Sequence, residues 1–446
     1  MVTTDGTGSS RDPHVIVVGG GPSGATVATL LAKQGRRVTL YERETFPRYH
    51  IGESLIPETF HVFERLGMLD TLRASPFVRK ESVQFVTGTG KLSEPFYFAD
   101  HKPHESSRTW QVSRAEFDVM MLDNARASGV EVHEGARVLD VVFENGRATG
   151  VHLAPSEGAE GAKRFVPADV VVDAAGMGGL IQDRLGLREW DPDLKKAALW
   201  TYWKGAKREP GRDEGGTLVM QTDNKLGWFW YIPLQDDVVS VGVVAPYDYL
   251  LKNRATKDHE TIYMEEVARC PGVQPRIAGA TRAAPFRAAK EYSYRSRQVA
   301  GDGWVLVGDA YGFLDPLYSS GILLALVSGA LAADCIEEGL RRGDTSAAVL
   351  GAWGPRFNEG MDRMRRLVCE FYEGFNFGKF VRKHPDLKGH ITDMLIGDLF
   401  NDRVDAIVAP MDAMRAEETA AMAAMAATAT IIAAVDVLPQ ESGHGT

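Results

Sequence analysis

The first apolar run of the chain leads directly into a group of glycines. His14–Val18 is followed by Gly19–Gly24, and Ala25–Gln34 continues with apolar and small residues at helical spacing. Arg37–Tyr41 is a second apolar run, and it ends at Glu42. Short apolar runs on either side of a helix are typical of parallel strands. The pattern predicts a strand, a glycine turn, a helix and a second strand, which begin a parallel α/β sheet.

The middle of the chain has a different period. Four segments alternate apolar and polar residues, as half-buried strands do: Ala197–Lys204, Gly216–Gln221, Gly227–Pro233 and Val238–Val244. They predict an antiparallel sheet, distinct from the parallel one. Trp228 and Trp230 lie two positions apart and should therefore share one face of it. By composition alone, such a pair is more often ordinary core than the wall of a pocket.

Further segments predict elements between these two regions. Phe60–Leu72 has helical spacing, and Phe77–Phe85 alternates as one strand. Ala115–Ser128 is a predicted helix with Ser113 as its cap. Val130–Ala136 is predicted to open a small meander. With 446 residues, the chain is long enough for two closely joined domains.

Composition narrows the class of protein. The chain is 44% apolar and 25% charged, as globular proteins are, and its net charge of −10 is unlike that of a nucleic-acid binder. Cys270, Cys335 and Cys369 are spaced for neither a metal site nor a disulfide framework. Thr419–Val435 is uncharged but too rich in alanine for a membrane span. We expect a cytoplasmic protein without a membrane span or a metal, in which residues 1–12 form a disordered tail.

The first glycine turn has the chemistry of a dinucleotide site. Gly19 permits the tight turn, Gly21 lets the backbone approach a pyrophosphate, and Gly24 allows the helix to pack closely on the strand. The helix N-terminus offers N–H donors to the anion, and Glu42 can accept hydrogen bonds from ribose hydroxyls. The pattern predicts nucleotide binding and leaves the choice between NAD and FAD open.

A second loop of similar chemistry lies far along the chain. The predicted strand Trp304–Val307 leads into Gly308–Asp309–Ala310, and a helix predicted over Ile322–Ile336 follows Ser320–Gly321. The aspartate can accept from ribityl or ribose hydroxyls, and the helix N-terminus can bind an anion or a polarised ring oxygen. Because NAD needs only one such loop, two loops for one ligand favour the longer FAD.

The predicted fold class is α/β, with a Rossmann-like FAD-binding domain, an inserted antiparallel-sheet substrate domain and a C-terminal helical region. We assign residues 13–80, 108–190 and 285–345 to the FAD-binding domain. The substrate domain takes residues 81–107 and 191–284, and the helical region takes residues 346–446. The FAD-binding domain is therefore discontinuous in sequence.

Three motifs give this framework a family resemblance. Trp228-x-Trp230-x-Ile232-Pro233 matches a signature of flavin-dependent halogenases, and Phe313-x-x-Pro316-x-x-Ser319-x-Gly321 matches their second motif. The segment His50–Ile51–Gly52–Glu53–Ser54 also looks like the halogenase version of that connector. With the two cofactor loops, the similarity spans most of residues 14–340. The chain resembles a flavin-dependent halogenase of the two-domain flavoprotein monooxygenase superfamily.

The resemblance implies a role for each matching residue. Lys80 matches the family's essential lysine, which holds or carries the oxidised halogen beside the substrate; without the resemblance, a strand lysine is more often a solvated side chain. Ser320 and Gly321 match the backbone pair that binds halide. The wall of the flavin chamber would be formed by Trp228, Trp230, Ile232 and Pro233. The positions implied for FAD are Gly19, Gly21, Ser23, Gly24, Glu42, Arg43, Ser54, Gln111, Arg114, Val138, Asp309, Gly321 and Ile322.

One position departs from part of the family. Tryptophan halogenases carry a glutamate immediately before the motif serine, as the base that takes the proton from the ring, and this chain has Tyr318 there. An indole would lack that base, whereas a pyrrole or a phenol is electron-rich enough to react with less help. The resemblance therefore implies chlorination or bromination of a pyrrolyl group on a carrier protein, in secondary-metabolite biosynthesis. The alternatives are halogenation of a free phenol, aromatic hydroxylation, a lipid-saturating flavin reductase and a flavin-binding regulator without turnover.

The C-terminal region carries basic residues in an acidic chain, among them Lys379, Arg382 and Lys383. Charge complementarity favours docking of an acidic acyl or peptidyl carrier protein there, and a solvated helix face is the alternative. No second nucleotide motif for NAD(P)H is evident, so a separate flavin reductase should supply FADH2, with chloride or bromide and O2 as co-substrates. Whether the chain forms a homodimer stays open.

Overall fold

The computed structural model describes residues 12–155 and 162–435, with side chains as far as residue 421. The predicted tail lies outside the described residues except for Asp12. None of the described helices is long and apolar enough to cross a membrane.

Strands and helices alternate as far as the second cofactor loop, and helices form the rest of the chain. The strands are β1 (His14–Val18), β2 (Arg37–Tyr41), β3 (Val78–Lys80), β4 (Ser82–Val86), β5 (Phe96–Tyr97), β6 (Thr109–Gln111), β7 (Glu131–His133), β8 (Val138–Glu144), β9 (Arg147–Leu153), β10 (Arg164–Pro167), β11 (Val170–Asp173), β12 (Arg188–Trp190), β13 (Lys196–Lys204), β14 (Thr217–Gln221), β15 (Trp228–Pro233), β16 (Val238–Pro246), β17 (Thr281–Arg282), β18 (Arg287–Lys290), β19 (Tyr294–Ser296), β20 (Ala300–Gly301), β21 (Trp304–Leu306) and β22 (Gly312–Phe313). The helices are α1 (Pro22–Lys33), α2 (Thr59–Leu66), α3 (Leu69–Ala74), α4 (Phe98–His101), α5 (Arg114–Ala127), α6 (Leu180–Arg184), α7 (His259–Ala268), α8 (Gln274–Ile277), α9 (Gly321–Arg342), α10 (Ala347–Leu350), α11 (Gly354–Tyr372), α12 (Phe377–Lys383), α13 (Lys388–Ile396) and α14 (Val408–Val435).

A six-stranded sheet carries the first glycine turn, with the strand order β20-β21-β11-β1-β2-β7. β1 pairs in parallel with both β2 and β11, which confirms the predicted parallel start. Helix α1 begins at Pro22, earlier than predicted, because proline suits the first turn of a helix. The prediction that Val130–Ala136 opens a meander was wrong. Its strand β7 pairs in parallel with β2, and local alternation does not distinguish the two pairings.

An eight-stranded sheet contains the four predicted alternating strands, β13 to β16, all paired antiparallel to their neighbours among them. β4 adds to β14 in parallel, so the sheet is mixed. The single strand predicted over Phe77–Phe85 was wrong, because the chain leaves one sheet for another at Glu81. β3 pairs with β6 in a separate two-stranded sheet, and this break leaves Lys80 buried at the end of β3.

Three smaller predictions also need correction. The helix predicted over Phe60–Leu72 is divided into α2 and α3 by Gly67, which ends α2 in the left-handed conformation at φ +72°. Ser113 stands at the N-cap of α5, but its side chain makes no capping hydrogen bond. α9 begins at Gly321 and runs to Arg342, beyond the predicted end.

The two faces of the eight-stranded sheet pack against different cores. Trp228, Trp230 and Ile232 face the larger core, which includes the parallel sheet and α9. Phe229 and Tyr231 face a smaller core that contains α7. The tryptophan pair therefore shares one face, as predicted. The predicted domain boundaries separate the strands of the six-stranded sheet from those of the eight-stranded sheet, with one exception. Strand β18 lies beyond residue 284 and pairs with β13 of the eight-stranded sheet.

Candidate active site

A cavity of about 530 Å³ is lined both by residues of the glycine turn and by the tryptophan face of the eight-stranded sheet. The predicted site residues that line it are Gly19, Gly21, Ser23, Glu42, Arg43, Ser54, Arg114, Val138, Trp228, Trp230, Ile232, Asp309, Gly321 and Ile322. The other predicted residues lie outside this lining: Gly24, Lys80, Gln111, Pro233 and Ser320. The fold thus brings both cofactor loops and the tryptophan motif to one space.

The glycine turn is so tightly packed that two of its glycines leave no space for a side chain. At Gly19, φ is +108°, and a Cβ atom would lie 2.3 Å from the carbonyl oxygen of Ala174. At Gly24, a Cβ atom would lie 1.9 Å from the carbonyl oxygen of Gly19. A Cβ atom on Gly21 would meet only the Arg48 guanidinium, at 3.6 Å. The turn is therefore closed on the protein side and open on the cavity side, as close approach of a phosphate requires.

Two carboxylates stand at the two cofactor loops. Glu42 accepts hydrogen bonds from the backbone N–H of Gly20 at 2.7 Å and of Glu44 at 2.9 Å, so it holds the glycine turn while facing the cavity. Burial raises the pKa of Asp309 to about 6, although the Arg114 guanidinium opposes the shift. A buried acid is stabilised by hydrogen-bond donors, which ribityl or ribose hydroxyls would supply. The turn, the carboxylates and the long cavity together fit FAD.

The segment Gly52–Ser54 lines the cavity and is held by residues at the start of α5. Arg114 donates to the Ile51 carbonyl oxygen at 2.7 Å and forms a buried ion pair with Asp118 at 2.8 Å. The Val112 N–H donates to the Glu53 carbonyl oxygen at 2.7 Å. The side chains of Glu53 and Ser54 have different partners: Glu53 contacts the tryptophan sheet, and Ser54 contacts Lys80.

Lys80 is buried behind the cavity wall. Its side chain is 1% exposed, and Nζ donates to Ser54 Oγ at 2.7 Å and to the Leu55 carbonyl oxygen at 3.0 Å. No carboxylate pairs with it among the described residues. Burial therefore lowers the pKa of the Lys80 amine to about 7. The prediction that this strand lysine is not a solvated side chain agrees with its burial.

The Ser54 hydroxyl lies between Lys80 and the cavity and is paired with the hydroxyl of Thr217. Ser54 Oγ and Thr217 Oγ1 lie 3.2 Å apart, and both residues line the cavity. Gln111 donates to Thr217 Oγ1 at 2.8 Å and to the Gly215 carbonyl oxygen at 3.0 Å. Gln111 therefore supports this hydroxyl pair from behind and does not line the cavity itself.

The tryptophan wall is fixed at both indole nitrogens. The Trp228 and Trp230 ring centroids lie 6.3 Å apart, and Trp230 Nε1 donates to Ser240 Oγ at 3.1 Å. The Trp230 ring lies against Gly242, where a Cβ atom would come within 2.2 Å of it. Trp228 Nε1 donates at 3.0 Å to the Tyr372 hydroxyl, at the end of α11. The wall is thus tied to the C-terminal helices, a contact that no local sequence pattern predicts.

The second motif forms a sharp turn into α9. Ser319 has φ +57°, an unusual conformation for a residue with a side chain, and Ser320 follows it as the 1% exposed N-cap of α9. Tyr318 is buried outside the cavity lining, and burial raises its pKa well above the usual range. Burial also raises the pKa of Asp315 to about 7, and its carboxylate accepts from the Tyr372 hydroxyl at 3.1 Å. The N-terminus of this long helix faces the cavity at Gly321.

The sequence patterns did not indicate several polar and aromatic residues of the cavity, namely Arg48, Tyr49, Trp200, Thr217 and Tyr292. Glu53 lies within the His50–Ser54 motif, but no role was predicted for its carboxylate. Trp200 and Tyr202 lie two positions apart on β13, and the Trp200 ring is 6.1 Å from that of Trp230. Their alternation within a recognised strand was the signal that could have placed them on the cavity face.

Comparison with known proteins decides the family of this site. The family model described as "Tryptophan halogenase" matches residues 14–106 and 89–441. The chain belongs to the tryptophan halogenase family. This membership confirms the predicted enzyme class: the protein is an FAD-dependent halogenase, which uses FADH2, O2 and a halide to halogenate an aromatic substrate.

Three relatives show how this halogenase compares along its length. It is 37% identical to a tryptophan 2-halogenase of Chondromyces crocatus, over 80% of this chain and 67% of the relative. It is 29% identical to a 1H-pyrrole-2-carbonyl-[peptidyl-carrier protein] chlorinase of Pseudomonas fluorescens, over 89% of this chain and 91% of the relative. The solved structure of a flavin-dependent brominase superimposes with a TM-score of 0.80 at 27% identity, covering 91% of this chain and 99% of the brominase. These matches confirm the predicted fold class.

Proposed function

We propose that this halogenase acts on a pyrrolyl group tethered to a carrier protein. The observation that carries the proposal is the match in length: the pyrrole-2-carbonyl carrier-protein chlorinase aligns over 91% of its own chain, and the tryptophan 2-halogenase over 67%. Tyr318 supports it, because this chain has no glutamate before the motif serine. A pyrrole ring needs less help from a base than an indole does.

The cofactor roles follow the cavity lining. The glycine turn and the N-terminus of α1 would bind the pyrophosphate, Glu42 would accept from the adenosine ribose, and Asp309 would accept from the ribityl chain. When bound, FADH2 supplies the reducing equivalents that activate O2 for oxidation of the halide. Trp228 and Trp230 would exclude the substrate ring from that chamber, so that halogenation is favoured over hydroxylation.

The halide and the oxidised halogen would use different groups of the chain. The N-terminus of α9 at Ser320–Gly321 would hold the halide, because this 22-residue helix begins at the cavity and the positive end of its dipole lies there. Lys80 would then hold or carry the oxidised halogen. With a pKa near 7, a substantial fraction of its amine is neutral at physiological pH and available as a nucleophile. Ser54, which accepts a hydrogen bond from this amine and lines the cavity, lies between the two.

The basic patch, formed by Lys379, Arg382 and Lys383 on α12, is our proposed carrier-protein docking surface. Two of its lysines are paired within the chain: Lys379 with Glu418 at 2.8 Å and Lys383 with Glu417 at 2.6 Å, both on α14. These pairs are exposed and therefore weak. An acidic carrier would compete with α14 for the same cations. We further propose that a separate reductase supplies FADH2 and that the protein works in the cytoplasm, where its free thiols stay reduced.

Mass spectrometry of a pyrrolyl-loaded carrier protein tests the substrate. The reaction contains FAD, a flavin reductase, NADH, O2 and either chloride or bromide, with halide-free buffer as the control. Replacement of a ring hydrogen by halogen on the carrier-bound group is the expected result. Halogenation of a free phenol with none on the carrier would contradict the proposal and establish the phenolic alternative.

A further inference from the structure

A chain of hydrogen bonds joins a buried carboxylate to a partly exposed tyrosine. Glu53 is 2% exposed, and its Oε1 atom accepts from the Tyr202 hydroxyl. The Tyr202 hydroxyl lies 3.1 Å from that of Tyr49, which is 39% exposed. Glu53 and Tyr49 both line the cavity. Three groups that can each exchange a proton thus lead from a partly exposed phenol at the cavity to a buried carboxylate in it.

Neighbouring donors orient the three groups of this hydrogen-bonded chain. Trp200 Nε1 donates to the Tyr49 hydroxyl oxygen at 2.6 Å, which leaves the Tyr49 proton free to point towards Tyr202. At the inner end, Ser240 Oγ donates to Glu53 Oε2 at 3.2 Å. Each oxygen of the carboxylate therefore has a donor, and each phenol has its next acceptor within hydrogen-bond reach.

The carboxyl group of this hydrogen-bonded chain can exchange a proton near neutral pH, whereas burial raises the pKa of both phenols, so they stay protonated. Burial raises the pKa of Glu53 to about 7, while the hydrogen bonds from Tyr202 and Ser240 and the Arg114 charge oppose the shift. The Arg287 guanidinium lies 3.5 Å from the centre of the Tyr49 ring. No cation forms an ion pair with Glu53 among the described residues. Its carboxyl group is therefore free to alternate between charged and neutral forms.

The halogenation reaction requires such a group. One aromatic C–H, one halide ion, O2, FADH2 and one proton give one aromatic C–halogen bond, FAD and two water molecules. Each turnover therefore consumes one proton, which solvent must deliver to a cavity walled by tryptophans. Proton transfer by a positioned side chain contributes about 10²- to 10⁴-fold to enzymatic rates.

We propose that Tyr49, Tyr202 and Glu53 relay this proton from solvent into the flavin chamber. The O–H bond of Tyr202 breaks as one forms on Glu53 Oε1, Tyr49 passes its own proton to Tyr202, and solvent reprotonates Tyr49. Glu53 then gives its proton to an oxygen atom derived from O2, and this oxygen leaves the chamber as water. The relay rests on the halogenation chemistry and not on the identity of the ring.

Conservative substitutions test the relay on the full-length enzyme. Tyr49→Phe, Tyr202→Phe and Glu53→Gln each remove one proton-exchanging group and keep the side-chain shape. We expect about 10²-fold slower product formation, a larger solvent deuterium isotope effect, and for Tyr49→Phe a recovery of rate that rises with the concentration of small weak acids. Tyr263→Phe is the matched control, since it loses a buried phenol in the smaller core and should change none of these quantities.

Infrared titration of the flavin-free protein gives a second measurement that needs no turnover. The C=O stretch of protonated Glu53, identified by its loss in Glu53→Gln, should titrate near neutral pH. In Tyr202→Phe its midpoint should rise, because a hydrogen bond to the carboxylate is lost. Wild-type rates in both tyrosine variants, or a slow rate of Tyr49→Phe that weak acids do not restore, would overturn the relay. Failure of wild type on the pyrrolyl carrier alone would reject the substrate, while an unchanged midpoint in Tyr202→Phe would still count against the relay.

Discussion

The cofactor cradle and the halogenation chamber achieve their chemistry by different means. The cradle, Gly19–Gly24 with Glu42, presents backbone N–H groups and leaves no space for a Cβ atom at two of its glycines. The chamber, lined by Ser54 and the tryptophan wall with Lys80 buried behind Ser54, depends on the ends of side chains whose backbones lie in three different sheets or segments. An added methyl group should therefore damage the cradle, and a lost functional group should damage the chamber.

Removing the amine of Lys80 should have the largest effect on halogenation. Lys80→Ala is expected to lower halogenated product by at least about 10²-fold, since it removes the nucleophile that we propose accepts the oxidised halogen. FAD binding should be unchanged, because Lys80 does not line the cavity. Product mass and flavin fluorescence measure the two effects, and continued consumption of O2 would show that the halide is still oxidised upstream. Loss of flavin binding in Lys80→Ala would instead show that the chamber and the cradle are not functionally separate.

An added methyl group at Gly24 should have the converse effect. In Gly24→Ala the new Cβ atom would lie 1.9 Å from the Gly19 carbonyl oxygen, so the turn or α1 must move. Such overpacking costs about 1–3 kcal/mol of unfolding free energy, and we expect weaker FAD binding with it. Thermal unfolding and flavin titration measure both. Gly279→Ala is the control, because no atom lies within 4 Å of its added Cβ. Equal behaviour of the two variants would show that the turn tolerates displacement.

The same difference explains how far the sequence predicts this molecule. The cradle lies within one stretch from β1 to β2, so its glycine spacing, its helix and its terminal carboxylate were visible in order, although the helix begins at Pro22, earlier than predicted. The chamber depends on contacts across the chain. Ser54 and Thr217 meet 163 positions apart, and the Trp228–Tyr372 hydrogen bond spans 144 positions.

Lys80 shows what sequence can and cannot supply. Its importance followed from a family motif, but the single strand predicted over Phe77–Phe85 gave no reason for its burial. The break at Glu81, which sends β4 to another sheet, buries the amine beside Ser54. That break depends on which partner each strand finds, and an alternating pattern carries no such information.

The buried amine should also make stability depend on pH in a specific direction. The pKa of Lys80 falls from 10.5 to about 7 on folding, so between these values the unfolded chain holds a proton that the folded protein lacks. Stability of the wild type should therefore rise with pH across this interval. Lys80→Met should be the more stable protein near pH 7, on the order of 1–5 kcal/mol, and lose most of that advantage by about pH 10. Denaturant unfolding at both pH values measures the difference, and an advantage independent of pH would mean that the amine is solvated.

The smallest effect we expect comes from one indole N–H in the chamber wall. Trp228→Phe keeps an aromatic ring but removes the hydrogen bond to Tyr372, which is worth about 1 kcal/mol. Tyr231→Phe, on the opposite face of β15, removes a comparable bond to the Lys207 carbonyl oxygen and serves as the matched control. Both variants should lose similar stability, but only Trp228→Phe should shift products from halogenation towards hydroxylation. An unchanged product ratio in Trp228→Phe would make the tryptophan wall ordinary packing, because the end of its side chain would then contribute only to stability.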